Sequence, residues 1–433
     1  MSSQQRRIIV AATGDSMISR RISVHEKSKQ VAEIIRTADV GFTNCEMLFH
    51  NCESYPMPRG IGIGGNMCAE PHLAGELAWF GFGITSLCNN HVCDYGAHGI
   101  FSTMKALGQA GIVYAGAGRD LGEAREPKYL ETKKGRVALT ASCWDPWQER
   151  WERASNMRAG VPARPGINLL RVDTQYVVSE ESLDALTKVI SEVGLNPPGG
   201  VERSERKGDD ATFLGRKFRL GDKPGIYREI SEQDYEEEIL SIKDAKRAAD
   251  WVLVSFHSET SDSKGKEYPP DFICKYARAC IDAGADAFIG HGPHILRGIE
   301  IYSGKPIFYS LGNFIAQNYT LKKITHDQYE FFGLGEKARP SDLHEARHPP
   351  PPPYGEWRFT SVVPVFELAD DRLTDLKLYP IVLGLSEKKR AHIGYPELAN
   401  ETQAEEIIHR LREISAEWKT RITSENGVYK VVL

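Results

Sequence analysis

The stretch Ala287-Phe288-Ile289-Gly290-His291-Gly292-Pro293-His294 limits what this chain can fold into more than any other. An apolar run ends at a glycine, and two histidines then stand three positions apart beside a second glycine and a proline. Such a pattern describes a buried strand emptying into a tight loop. A loop at a strand end can aim both rings at one point, and neutral imidazole nitrogen is a good ligand for zinc, manganese or iron. The plainer reading is a strand-end turn with two solvated histidines. One histidine pair is not a metal site, so the choice rests on partners elsewhere in the chain.

The same arrangement recurs along the sequence. A strand from Arg7 to Thr13 ends in Gly14-Asp15-Ser16-Met17, and a strand from Asp39 to Thr43 ends in Asn44-Cys45-Glu46. Phe82 to Leu87 delivers Cys88-Asn89-Asn90-His91, and Trp251 to Phe256 delivers His257-Ser258-Glu259. Each polar residue has an ordinary alternative: Asp15 as a helix N-cap, Glu46 as an exposed loop acid. Between these strands, apolar residues at helical spacing predict helices over 26–37, 71–80, 99–110, 236–249 and 270–284. A further strand spans Val137 to Ser142. Strand–helix alternation with polar strand ends argues for a layered α/β domain, whose sites form at the carboxyl ends of strands.

Composition narrows the function classes. A net charge of −5 and a pI near 6.3 indicate no general nucleic-acid-binding face. No apolar run approaches membrane-spanning length, so no membrane anchor is expected. The N-terminal residues pass directly into Ile8-Ile9-Val10-Ala11-Ala12, too short for a signal-peptide core. The expectation is a cytoplasmic protein. Its eight cysteines form no CxxC pair and sit mostly in apolar surroundings, as reduced thiols do.

The 433 residues are expected to form one domain (1–433), with two interruptions. Over 144–235 the alternation breaks down. Trp144, Trp147 and Trp151 cluster with Arg150, Arg153 and Arg158, and the turn Asn196-Pro197-Pro198-Gly199-Gly200 follows. This reads as an irregular insertion or subdomain with one helix over 180–193, shaping a substrate pocket. Its arginines fit a carboxylate-bearing substrate or a solvated surface equally well. Residues 318–357 look irregular and carry the run Pro349 to Pro353, a lid over the site or a surface loop. Paired strands over 359–366 and 373–383 and an amphipathic helix over 402–419 close the chain.

Collected, the polar strand ends are Asp15, Asn44, Glu46, Asn90, His91, His257, His291 and His294. A metal takes about four to six donors, so this set is large enough for two divalent ions, with manganese, zinc or iron all suited to the donors. The motifs Gly14-Asp15-Ser16-Met17, Asn44-Cys45-Glu46, Asn89-Asn90-His91, Gly290-His291-Gly292-Pro293-His294 and Tyr309-Ser310-Leu311-Gly312-Asn313-Phe314 resemble the calcineurin-like metallophosphatase superfamily. More closely, they resemble its CapA (poly-γ-glutamate capsule synthesis) family. The resemblance implies a four-layer α/β/β/α sandwich of the metallo-dependent phosphatase type. It also implies that Asp15, Glu46, Asn90, His91, His257, His291 and His294 are metal ligands.

Three departures stand out. Met17 occupies the place of a first-motif histidine, Glu46 that of an aspartate, and Glu259 follows His257 more closely than in the family pattern. The implied activity is metal-dependent hydrolysis of an amide in a peptide or γ-glutamyl substrate, with Asp15, His257, Glu259 and His294 as the catalytic set. One alternative is epimerisation of a peptide Cα, as in relatives that modify ribosomal precursor peptides, with Asp15 and His294 on opposite sides of the substrate. Another is a metal-stabilised scaffold without catalysis.

Overall fold

The computed structural model describes residues 6–58, 65–148, 151–195, 204–347, 355–384, 387, 389–425 and 427–433. Arg150, the turn Asn196–Gly200 and the proline run Pro349–Pro353 lie outside these residues. Contacts divide the chain into two compact units, one formed by Met1–Leu169 with Glu237–Leu433, the other by Leu170–Glu236.

The larger unit is built on two mixed sheets. In the first, the strand Arg7–Met17 runs parallel to Val40–Cys45, which runs parallel to Phe82–Ser86, and that to Val113–Ala115. On its other side Arg7–Met17 pairs antiparallel with Thr360–Ala369, which pairs antiparallel with Arg372–Val382. In the second sheet, Arg136–Cys143, Trp251–His257, Ala287–His291 and Lys305–Phe308 run parallel in that order. These strands are almost wholly apolar and buried on both faces, which a parallel strand covered by helices requires.

The sheets face each other. Phe308 of the second meets Phe366 of the first with ring centroids 5.6 Å apart, and Phe42 meets His291 at 5.7 Å. Helix Glu26–Arg36 covers the outer face of the first sheet through Val31, Ala32 and Ile35. Helix Asp271–Asp282 covers the second through Phe272, Tyr276 and Cys280. The result is a four-layer α/β/β/α sandwich.

Parallel strands leave their sheet at the same edge, so the loops after Met17, Cys45, Ser86, Cys143, His257 and His291 gather there. Register fixes neighbours across that edge. Asp15 lies opposite Asn44 on one side and Asn313 on the other, and His257 lies opposite His291.

The smaller unit carries the helix expected over 180–193, observed as Glu180–Glu192. Ser179 caps it, its Oγ accepting from the Ser182 N–H at 3.3 Å. The rest of this unit is not irregular. It holds a five-stranded sheet in the order Glu205–Lys207, Asp210–Phe213, Arg216–Leu220, Val172–Val178, Gly225–Ile230. Strands such as Arg216-Lys217-Phe218-Arg219-Leu220 are largely charged and exposed, so they lack the alternation by which a half-buried strand is read. Residues 144–169 belong to the larger unit. Within 318–357, expected to be irregular, stand two short helices, His326–Phe331 and Pro340–Arg347. They are too short for a helical period to show, and of the second only Leu343 and His344 are buried.

Candidate metal centre

Glu46 is the hub. It follows the fully buried strand Val40–Cys45, and its side chain has no exposure to solvent. Three imidazole nitrogens converge on its Oε1: His294 Nε2 at 3.8 Å, and His91 Nε2 and His257 Nε2 at 4.0 Å. Asp15, equally buried, has Oδ1 3.4 Å from His291 Nδ1 and Oδ2 3.5 Å from His294 Nδ1. Glu259 Oε1 lies 4.0 Å from His294 Nε2 and accepts from Asn90 Nδ2 at 2.7 Å. The structure thus brings Asp15, Glu46, Asn90, His91, His257, Glu259, His291 and His294 into one cluster, although they come from both sheets.

Backbone geometry holds the loops close. Gly292 has φ +110°, and a Cβ there would sit 2.6 Å from the Ser258 carbonyl carbon. The glycine lets the 291–294 loop lie against the one carrying Glu259, while its N–H donates to Asp15 Oδ2 at 3.2 Å. His294 itself takes a left-handed φ of 58°, a strained conformation of the kind found at functional sites. Gly292→Ala should therefore cost about 1–3 kcal/mol of stability and weaken metal binding by moving His294. Thermal melts and metal titration of the variant check this.

A second ring of groups orients the candidate ligands. His294 Nδ1 lies 2.8 Å from Asn313 Oδ1, and the Asn313 amide donates to the Arg358 carbonyl at 2.9 Å. With Oδ1 thereby the acceptor, Nδ1 of His294 carries the proton and Nε2 presents its lone pair to Glu46 and Glu259. His91 Nδ1 lies 2.8 Å from Asp94 Oδ2, which also accepts from the Met67 N–H at 2.7 Å. This histidine–carboxylate pairing is how metal-binding imidazoles are commonly oriented, and losing it typically costs 10–100-fold in metal affinity. Asp94→Asn should show a loss of about that size by calorimetric titration with manganese.

The electrostatics of the protein groups alone are unbalanced. Burial, with the charges of Asp15 and Glu259 close by, pushes the Glu46 carboxyl well above its ordinary range. Burial would raise Asp15 too, but His291 and His294 hold it well below. His257 is pushed by burial down to about 3, so it is neutral and able to give a lone pair. Both carboxylate oxygens of Glu46, Nε2 of His257 and both nitrogens of His291 are buried with no hydrogen-bond partner among the described residues. Buried polar atoms are rarely left so, and each costs free energy unless satisfied. Divalent cations would satisfy this set: two donor groups, Asp15–Glu46–His257 and Glu46–Glu259–His294, each have ligand atoms within 4.8 Å and share Glu46. Carboxylate and imidazole donors suit manganese, zinc or iron.

Residues 9–318, which contain every candidate ligand named above, match the family model described as bacterial capsule synthesis protein PGA_cap. The chain belongs to the PGA_cap family. PGA_cap relatives differ in how far they align. An uncharacterized protein of Sinorhizobium fredii, y4sH, is 33% identical over 97% of this chain and 92% of its own. The PGA biosynthesis protein CapA of Bacillus subtilis is 40% identical over 25% of this chain and 29% of its own. The capsule biosynthesis protein CapA of Bacillus anthracis is 27% identical over 54% and 40%. A crystal structure of a novel phosphatase from Mycoplasma pneumoniae aligns with a TM-score of 0.39 and 11% identity, covering 88% of this chain and 95% of that one.

Several members of the site go beyond the candidate ligands read from the sequence of this PGA_cap protein. Asp145 is buried, and its Oδ1 accepts from the Glu259 N–H at 2.8 Å and from Ser258 Oγ at 3.3 Å, fixing the loop that carries Glu259. It stands two residues past the strand ending at Cys143, as Glu46 stands one past Cys45, and that strand-end placement was the available signal. Asn44 donates to Asp15 Oδ1 at 2.8 Å and stands 3.2 Å from His257 Nδ1, bridging the two sheets. Trp144 belongs behind the site: its N–H donates to the His257 carbonyl at 3.1 Å and its ring meets Phe272 edge-on.

Proposed function

We propose that this protein is a metal-dependent hydrolase acting on an amide in a peptide or γ-glutamyl substrate, and that it works in the cytoplasm. The observation that carries the metal centre is the set of orphaned donors on Glu46, His257 and His291. The substrate class draws on relatives bearing names such as PGA biosynthesis protein and probable polyglutamine synthesis accessory protein.

Asp15, Glu46, Asn90, His91, His257, His291 and His294 would hold two divalent ions, with Glu46 shared. Cations bound there supply Lewis acidity at the substrate carbonyl and acidify a water. Asp15 stays ionised because His291 and His294 stabilise its charge. His257, fully buried and neutral, serves as a donor. Glu259 moves the proton. Its side chain is 24% exposed where those of Asp15 and Glu46 are closed off, so a substrate can reach it. Burial would raise its carboxyl, but the nearby His294 and His257 rings, together with Lys266, hold it below the ordinary range, leaving it a base at neutral pH. It takes a proton from the attacking water and returns it to the leaving nitrogen as the C–N bond breaks.

Asp15 and His294 approach to 3.5 Å, which leaves no space for a carbon centre between them. That contact favours hydrolysis over epimerisation by this pair. The test is release of primary amine from synthetic γ-glutamyl oligomers by manganese-loaded protein. The proposal expects turnover that chelation stops and Glu259→Gln lowers by about 10²–10⁴-fold. Solvent deuterium entering the substrate α-position with no amine released would replace it with epimerisation.

A further inference from the structure

Away from the metal centre, the short parallel pair Leu48–Phe49 and Cys68–Ala69 carries a second cluster: His50, Cys52 and Cys68. The sulfurs of Cys52 and Cys68 are in contact at 3.4 Å across a separation of 16 residues. Cys52 is exposed at a left-handed φ of 64°, whereas Cys68 is buried, its sulfur 3.6 Å from the Tyr95 hydroxyl.

The three side chains have the composition of a soft-metal site, but the histidine is engaged. The Cys52 N–H donates to His50 Nδ1 at 3.0 Å. A neutral imidazole accepting there carries its proton on Nε2, so no lone pair is left for a cation. Two thiols in contact, one reachable and one shielded, are instead arranged for exchange.

We propose that Cys52 and Cys68 form a thiol–disulfide couple that closes on oxidation by a glutathione-type disulfide. The Cys52 thiolate attacks one sulfur of the oxidant, forming a mixed disulfide and releasing the first thiolate. Cys68 then attacks the Cys52 sulfur, and its proton goes to the second departing thiolate. Two protein thiols and one disulfide become one protein disulfide and two thiols. Burial pushes the Cys68 thiol up to about 12, so it waits as the resolving group. The bridge lies one residue from Met67, whose N–H holds Asp94 Oδ2, the group on His91 Nδ1. The couple therefore adjoins the support of one ligand of the metal centre. The covalent chemistry does not depend on the hydrolase reading.

The full chain is equilibrated in glutathione buffers from reduced to oxidised, alkylated, and mapped by peptide mass spectrometry. The expected product is one Cys52–Cys68 linked peptide, lighter by two hydrogens, restored to free thiols by excess reduced glutathione and absent in Cys52→Ser. Cys68→Ala, which keeps a small apolar group in the buried position, should accumulate glutathione on Cys52. If oxidised wild type carries glutathione on Cys52 while Cys68 alkylates freely, the proposal is overturned. Zinc that co-purifies and shields both thiols from alkylation would also overturn it and make the cluster a metal site.

Discussion

Glu46→Gln should strip the centre of its shared ligand, lowering metal affinity more than the roughly 10–100-fold typical of an orienting partner. Glutamine keeps the shape and removes the charge. Every histidine around Oε1 stays in place, so the loss reports the carboxylate itself. Because both donor groups pass through Glu46, the variant should lose occupancy at both positions, not one. Turnover should fall with metal content, and excess manganese should restore only part of it. Metal analysis after desalting, alongside amine release, reads both. A variant holding its full metal complement with unchanged turnover would remove Glu46 from the centre.

Removing the metal should produce the largest change in stability. A ligand at about 1,000 times its dissociation constant stabilises by about 4.1 kcal/mol per site, so chelation should lower the melting temperature by something on the order of 10 °C. The metal-free protein should then show a pH dependence of definite sign. The folded state holds the Glu46 proton to higher pH than the unfolded chain does, because burial and neighbouring carboxylates raise its pKa. Native protein therefore binds more protons, and stability falls as pH rises from the ordinary carboxylate range through the raised folded value. Asp15 acts oppositely: its lowered pKa contributes stability above the ordinary range that is lost only in stronger acid. His257, lowered to about 3, opposes the Glu46 effect only up to the ordinary histidine range, so between roughly pH 7 and 8 the slope belongs to Glu46 and the likewise raised Asp145, and Glu46→Gln should reduce it. Melting curves with and without chelator across that range measure the slope. A metal-free protein that grows more stable as pH rises from about 7 to 8 would contradict the account.

Much of the layered architecture is legible in the sequence because both sheets are read through period and punctuation. Trp251–His257 is a wholly buried run, and a continuous apolar segment ending in a polar residue marks a parallel strand on sight. The ligands are legible for the same reason: they stand where those runs end. Asp145 sits two residues past such a strand end, with no neighbouring glycine or histidine to mark it, and its work is to hold the Glu259 backbone. The roles of Asn44 and Asn313 depend on contacts between residues 29 and 19 positions apart that no local pattern encodes, whereas Asp94, three positions after His91, stands in the same local motif. The sheet of the inserted unit was hidden by composition. Tyr176 stacks on Phe218 with centroids 5.1 Å apart, but charged neighbours bury the period-two signal. Likewise the contact of Cys52 with Cys68 exists only because two short strands run side by side.

The most direct test is anomalous diffraction from crystals grown with manganese, recorded at a wavelength where manganese scatters strongly. Two peaks are expected, both in bonding reach of the Glu46 carboxylate, one flanked by Asp15 and His257 and the other by His294 and Glu259. An absence of peaks among these side chains, or a lone ion that does not touch Glu46, would contradict the central claim.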